Sequence, residues 1–241
     1  MFYSIYLIPA ILIALLLTIL TAIITVIGCA LGSSSFWGYY PAKLWAQAVC
    51  ALFLLPVHVS GREHLKPHTS YVFTPNHQGA FDIFLIYGYL GRKFKWVMKE
   101  SLRRIPIVGR ACQSAGHVFI DRSNPVRIAA SMSEAESKMT NGMSLVIFPE
   151  GTRSAGGRLG KFKKGAFIMA DQLQLPVVPV TVTGSYEVMP KGSRWFHRHA
   201  LTLTIHQPIP PSGQGADNVR QTMQQAYRVV KEALPARYQP A

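Results

Sequence analysis

No charged side chain precedes Lys43, and positions 5–31 (IYLIPAILIALLLTILTAIITVIGCAL) run apolar almost without a break. About 20 apolar residues at 1.5 Å each cover the ~30 Å hydrocarbon core of a bilayer, so this run can cross one with tilt. A buried core helix of such length would carry a polar face, which the run lacks. A secretory signal needs a basic start and an apolar stretch of roughly 7–15 residues, and neither is present. Val26-Ile27-Gly28-Cys29 has the outline of a lipoprotein cleavage box, but it too lacks the basic start.

A second apolar stretch, 41–57 (PAKLWAQAVCALFLLPV), is shorter, carries Lys43 and Gln47, and meets Pro56 near its end. Trp37, Tyr39, Tyr40 and Trp45 cluster where the two stretches join, and amphipathic rings favour the headgroup layer. Residues 1–56 therefore read as membrane-anchoring helices, with 41–56 interfacial. The first helix either spans the bilayer or forms a hairpin dipping into one leaflet; both remain open. All 25 Lys and Arg follow the first stretch, which places 57–241 on the cytoplasmic side of a cell inner membrane. Against 11 Asp and Glu they leave a net charge of +14, favouring nucleic acid, acidic lipid or phosphorylated partners without choosing among them. The three cysteines form no C-x-x-C pair, so neither a disulfide framework nor a zinc ribbon is expected.

Beyond residue 56 short strands alternate with helices, the pattern of a single α/β domain. Apolar, β-branched runs predict strands at 57–60, 71–74, 94–98, 117–120, 144–148, 177–183 and 201–205. Helices are predicted at 80–90, at 125–139 with Ser123 or Asn124 as cap, at 164–173 and at 216–233.

Two constellations follow predicted strands. In Asn76-His77-Gln78-Gly79-Ala80-Phe81-Asp82, His77 and Asp82 are five apart, about 140° around a continuous helix, so they meet only if His77 lies outside it. Pro75 and Gly79 permit that bend. An imidazole whose one nitrogen donates to a buried carboxylate keeps the other free to take a hydroxyl proton. A loop histidine beside a helix-start carboxylate fits the spacing as well. In Phe148-Pro149-Glu150-Gly151-Thr152-Arg153-Ser154, proline ends the strand and glycine frees the backbone. Arg153 offers a planar fork for phosphate, and Arg158, Lys161, Lys163 and Lys164 follow with no acid among them. A solvated basic loop is the alternative there.

These residues, with Gly116–Arg122 (GHVFIDR) and Val178–Gly184 (VPVTVTG), resemble in order and spacing the four blocks of the glycerolipid acyltransferase family, most closely its bacterial branch. The resemblance spans about residues 60–210. It implies a mixed-sheet αβ acyltransferase domain behind a membrane helix motif, working without metal or cofactor. It further implies that an acyl group passes from acyl-CoA or acyl-carrier protein to the sn-2 hydroxyl of lysophosphatidic acid. By the same resemblance His77 is the general base, Asp82 orients it, and Lys99, Arg122, Glu150, Gly151, Thr152 and Arg153 hold the acceptor phosphate. Gly79 departs from the family, many members of which carry Ser there.

A direct transfer is expected, because the chain has no G-x-S-x-G elbow and no Cys beside His77. Residues 105–108 (IPIV) are expected to border an acyl chain. Another lysophospholipid, or an amino-acid-derived lipid, as acceptor would use the same His77 and Asp82. A nucleic-acid partner is not expected, since no binding motif occurs and Asp82, Asp121 and Glu150 sit amid the basic clusters.

Overall fold

The structure is a computed structural model describing residues 2–121, 125–139, 142–154, 156–193 and 195–240, without the side chains of 2–5 and 125–129. The predicted cap at Ser123 or Asn124 lies outside the described residues. In chain order the helices are α1 (Phe2–Leu31), α2 (Ser34–Trp37), α3 (Tyr40–Leu52), α4 (Phe81–Tyr89), α5 (Val108–Ser114), α6 (Pro125–Lys138), α7 (Gly165–Gln172), α8 (Ser185–Val188) and α9 (Ala216–Ala233). The strands are β1 (Val57–Ser60), β2 (Val72–Pro75), β3 (Phe94–Lys99), β4 (Val118–Ile120), β5 (Ser144–Val146), β6 (Val177–Thr183) and β7 (Leu201–Ile205).

They form one mixed seven-stranded sheet in the order β1-β7-β6-β2-β5-β3-β4, in which only β6 and β7 pair antiparallel. Strand periodicity explains the layers on either side. Phe73, Val146 and Val178 point to the face covered by α3 and α4, whereas Val72, Leu145 and Val177 point to the face covered by α6, α7 and α9. The sheet is therefore buried on both faces and the predicted α/β architecture holds. The helices α2, α5 and α8 were not predicted from sequence. Each is seven residues or fewer with no side-chain cap, too short to show a helical period.

From Tyr6 to Leu31, α1 is long and apolar enough to cross a membrane. It packs against α2 and α3, and against α5 of the domain. Tyr6 Oη donates to Leu52 O (2.7 Å), Trp45 Nε1 donates to Thr18 Oγ1 (2.9 Å), and the Trp37 ring closes over Gly28. Leu7, Ala10, Ala22 and Thr25 are buried on this inner side, while Ile8, Leu12, Leu16, Ile23 and Ile27 face outward. Antiparallel α3 is in turn fixed to α4, where Gln47 Nε2 donates to Gly88 O (2.9 Å). Of the aromatic residues expected in the headgroup layer, Tyr39 is buried and Trp45 half-buried. Tyr39 is buried against Tyr87 and Phe94, and the indole N–H of Trp45 is satisfied within the hairpin.

Candidate active site

In open α/β sheets, ligands gather at the carboxyl ends of central strands. Here β2, β5 and β3 are neighbours, and they deliver the 76–82 turn, the 147–160 loop and Lys99 to one edge. Asn76 secures the first of these. Its Nδ2 donates to Val182 O (2.9 Å) while Val182 N–H donates back to its Oδ1 (2.7 Å), which fixes where β2 ends.

His77 lies outside α4, as the spacing requires, and its Nδ1 is 2.7 Å from Asp82 Oδ2. That oxygen also accepts the backbone N–H groups of Gln78 (2.7 Å) and Gly79 (3.0 Å). Asp82 is fully buried. An oxygen already accepting two N–H groups is an acceptor for the third as well, so His77 Nδ1 is the donor, and in the neutral ring Nε2 is the nitrogen with the lone pair. A Cβ at Gly79 would lie 2.4 Å from both O and Oγ of Ser185. Serine does not fit at position 79 in this chain, and the Ser185 hydroxyl occupies the space beside it.

The second loop holds the backbone of the same histidine. Glu150 Oε1 accepts His77 N–H (2.7 Å), and Ser154 N–H donates to His77 O (2.9 Å). Glu150 Oε2 accepts Gly160 N–H (2.8 Å), and the residue is buried. Glu150 is thus bonded to the backbone on both oxygens, where the resemblance has it hold the acceptor phosphate. Both of its oxygens are taken by backbone donors, and its negative charge would repel a phosphate. Burial pushes its carboxyl pKa up, against the two N–H bonds, which pull it down. Gly151 turns the chain at φ +74°, where a side chain would be strained.

A cavity of about 670 Å³ opens beside His77, bordered by Phe148, Gly151, Thr152 and Lys99. It runs between α5 and α1, past Ile105, Val108 and Cys112 to Thr18, Ala22 and Thr25. Ile105 and Val108 thus border it as expected, whereas Ile107 faces out beside Ile23 and Ile27 of α1. Lys99 is exposed and Arg153 half-buried; neither cation has a hydrogen-bond or ion-pair partner among the described residues. Arg153 does not border the cavity itself but lies one residue beyond Thr152, which does. Arg122 lies outside the described residues.

His117, which no sequence motif singles out, is buried behind the site. Its Nδ1 accepts Trp96 N–H (3.2 Å) and its Nε2 lies 2.9 Å from Tyr87 Oη. Desolvation, aided by Lys95 and Lys138, holds its pKa down at about 3, so the ring is neutral. Lys95 is buried as well, donating to Ala115 O (2.6 Å), and desolvation lowers it to about 8.

Comparison with known proteins bears on the family. A chloroplastic 1-acyl-sn-glycerol-3-phosphate acyltransferase of Arabidopsis thaliana is 37% identical over 173 residues, 71% of this chain and 48% of that one. The human alpha form is 32% identical over 169 residues, 70% of this chain and 60% of its own length. The chain thus spans about half the length of the curated plant relative and somewhat more of the human one. The crystal structure of the 1-acyl-sn-glycerophosphate acyltransferase PlsC from Thermotoga maritima superposes with a TM-score of 0.71 at 26% identity, covering 94% of this chain and 99% of that one. The profile of the family described as Acyltransferase matches residues 56–183, more than half of the sequence and including both loops at His77, and the chain therefore belongs to the acyltransferase family.

Proposed function

We propose that this chain transfers a fatty acyl group from acyl-CoA or acyl-carrier protein to the sn-2 hydroxyl of 1-acyl-glycerol-3-phosphate, giving phosphatidic acid. The observation that carries the reading is a histidine with Nδ1 on a buried carboxylate, bordering an apolar cavity that Lys99 lines and beside which Arg153 lies, neither cation having a partner among the described residues. His77 Nε2 takes the hydroxyl proton as that oxygen attacks the thioester carbonyl carbon. The tetrahedral intermediate collapses, the C–S bond breaks, and the imidazolium returns the proton to the leaving thiolate. Asp82 orients the ring and stabilises its transient charge. Arg153, Lys99 and the Gly151-Thr152 backbone hold the acceptor phosphate, and the cavity takes an acyl chain. The similarity to plant and human 1-acyl-sn-glycerol-3-phosphate acyltransferases supports this acceptor, and the near-complete overlap with the Thermotoga maritima enzyme supports the bacterial type.

We further propose that α1 and α3 hold the protein in one leaflet of the inner membrane, with residues 57–241 at the cytoplasmic face. Paired with α3 as a hairpin, α1 presents an apolar outward side, as a segment lying in one leaflet does. Alkaline phosphatase fused at Ala241 should be inactive; activity there would overturn the topology. For the reaction, purified protein is assayed for thiol release from each donor with and without lysophosphatidic acid. Release that depends on the acceptor supports the reading. Release without it, or equal release with a lysolipid lacking the phosphate, overturns it.

A further inference from the structure

We infer that Phe148 is a positioning residue for His77, acting through the face of its ring. This deepens the assignment of His77 as general base and rests on it. Every polar contact of His77 lies along its edge or its backbone: Nδ1 on Asp82, N–H on Glu150, and the carbonyl on Ser154 N–H. A single bond at Nδ1 leaves the imidazole free to tilt about the Nδ1···Oδ2 line. The flat contact removes that freedom. The imidazole and Phe148 rings stack with centroids 3.8 Å apart and planes 14° apart.

Phe148 is backed in turn by Trp96, at 5.4 Å and 20°. Trp96 is buried on β3, and its N–H is held by His117 Nδ1, whose opposite nitrogen meets Tyr87 Oη. A column of three near-parallel rings therefore runs from the sheet interior to the imidazole. The GHVFIDR segment, which contributes no polar group to His77, reaches it through this column.

Stacking does two things for a base. It fixes the plane in which the Nε2 lone pair lies, and a misaligned base loses rate steeply. It also sets a negative ring face beneath the imidazole at the moment it becomes imidazolium, well inside the ~6 Å range of cation–π attraction. An aliphatic side chain of similar volume supplies packing but neither a flat surface nor a quadrupole.

The test compares Phe148→Leu with Phe148→Tyr, measuring kcat, KM for acceptor and thioester, and melting temperature, beside wild type and His77→Ala. Phe148→Leu should lower kcat about tenfold, with both KM values nearly unchanged, while Phe148→Tyr stays within about threefold of wild type. Should Phe148→Leu melt far below wild type, Trp96→Leu replaces it and should show the same split at smaller size. Full turnover in the folded leucine variant, a loss carried by KM, or a tyrosine variant as impaired as leucine would each overturn the inference. Wild-type protein without acyl transfer, or His77→Ala with normal turnover, would instead overturn the functional reading, and both are scored before any Phe148 variant.

Discussion

The turn after β2 and the loop after β5 meet at His77 but are built in opposite ways. In the turn, Asp82 is sealed from solvent and one of its oxygens gathers three N–H groups. In the loop, Glu150 is sealed in the same manner, yet beyond it Thr152, Arg158, Lys161, Lys163 and Lys164 are exposed and Arg153 is half-buried without a side-chain partner among the described residues. Groups that move a proton are held where low dielectric and fixed donors keep their geometry. Groups that meet a phosphate must stay accessible until it arrives.

The contrast is tested most severely at the buried pair. His77→Ala and Asp82→Ala should each lower kcat by about 10²- to 10⁴-fold with acceptor KM nearly unchanged. The double variant should cost little more than His77→Ala alone, because an orienter without its base has nothing to orient. Additive losses in this cycle would separate the two residues.

Next in size is the acid sensitivity of the supporting layer. The folded His117 pKa of about 3 lies below its ordinary value of 6.5, so the unfolded chain binds more protons in between. Stability is complete above about 6.5 and falls as pH drops through that window, by up to about 1.4 kcal/mol per unit. Melting temperature against pH should show this decline, and His117→Gln should flatten it. A wild-type profile already flat between about pH 6.5 and 5 would contradict a buried neutral ring.

Glu150→Gln puts the two halves of the loop in direct competition. An amide offers one acceptor oxygen where two N–H groups need one each, so the variant should lose about 1–3 kcal/mol of stability. Turnover should fall while acceptor KM holds. Were Glu150 beside the phosphate, removing its charge would lower that KM instead.

Arg153→Ala should raise KM for the phosphorylated acceptor about tenfold and leave the thioester KM unchanged. Lys99→Ala, a flexible point charge at the cavity edge, should do the same by only about two- to fivefold. Equal effects on both substrates would place either cation elsewhere than at the phosphate.

Much of this molecule is written locally. The strands 177–183 and 201–205 and the helix 216–233 were predicted with the bounds observed, because β-branched runs and an amphipathic helical period are short-range signals. His77 and Asp82 were legible for the same reason, being five residues apart on one turn. The roles of Glu150 and Phe148 were not, since each depends on a partner more than 70 positions away in sequence. Position 79 carried a visible departure from the family pattern, but its cause, the Ser185 backbone and hydroxyl, sits across the sheet.

The apolar, charge-free start determined by itself that a long helix would form there, since a single segment satisfies its own backbone in an apolar surrounding only as a helix. The sequence likewise determined which residue types reach the carboxyl ends of β2 and β5. That α1 pairs with α3 as a hairpin was decided only when Thr18 met Trp45 and Tyr6 met Leu52. What a carboxylate at position 150 does was decided by two N–H groups from opposite sides. Hydrophobic period and turn chemistry act over a few residues, whereas hydrogen-bond satisfaction and ring stacking depend on which distant segments the sheet order makes neighbours.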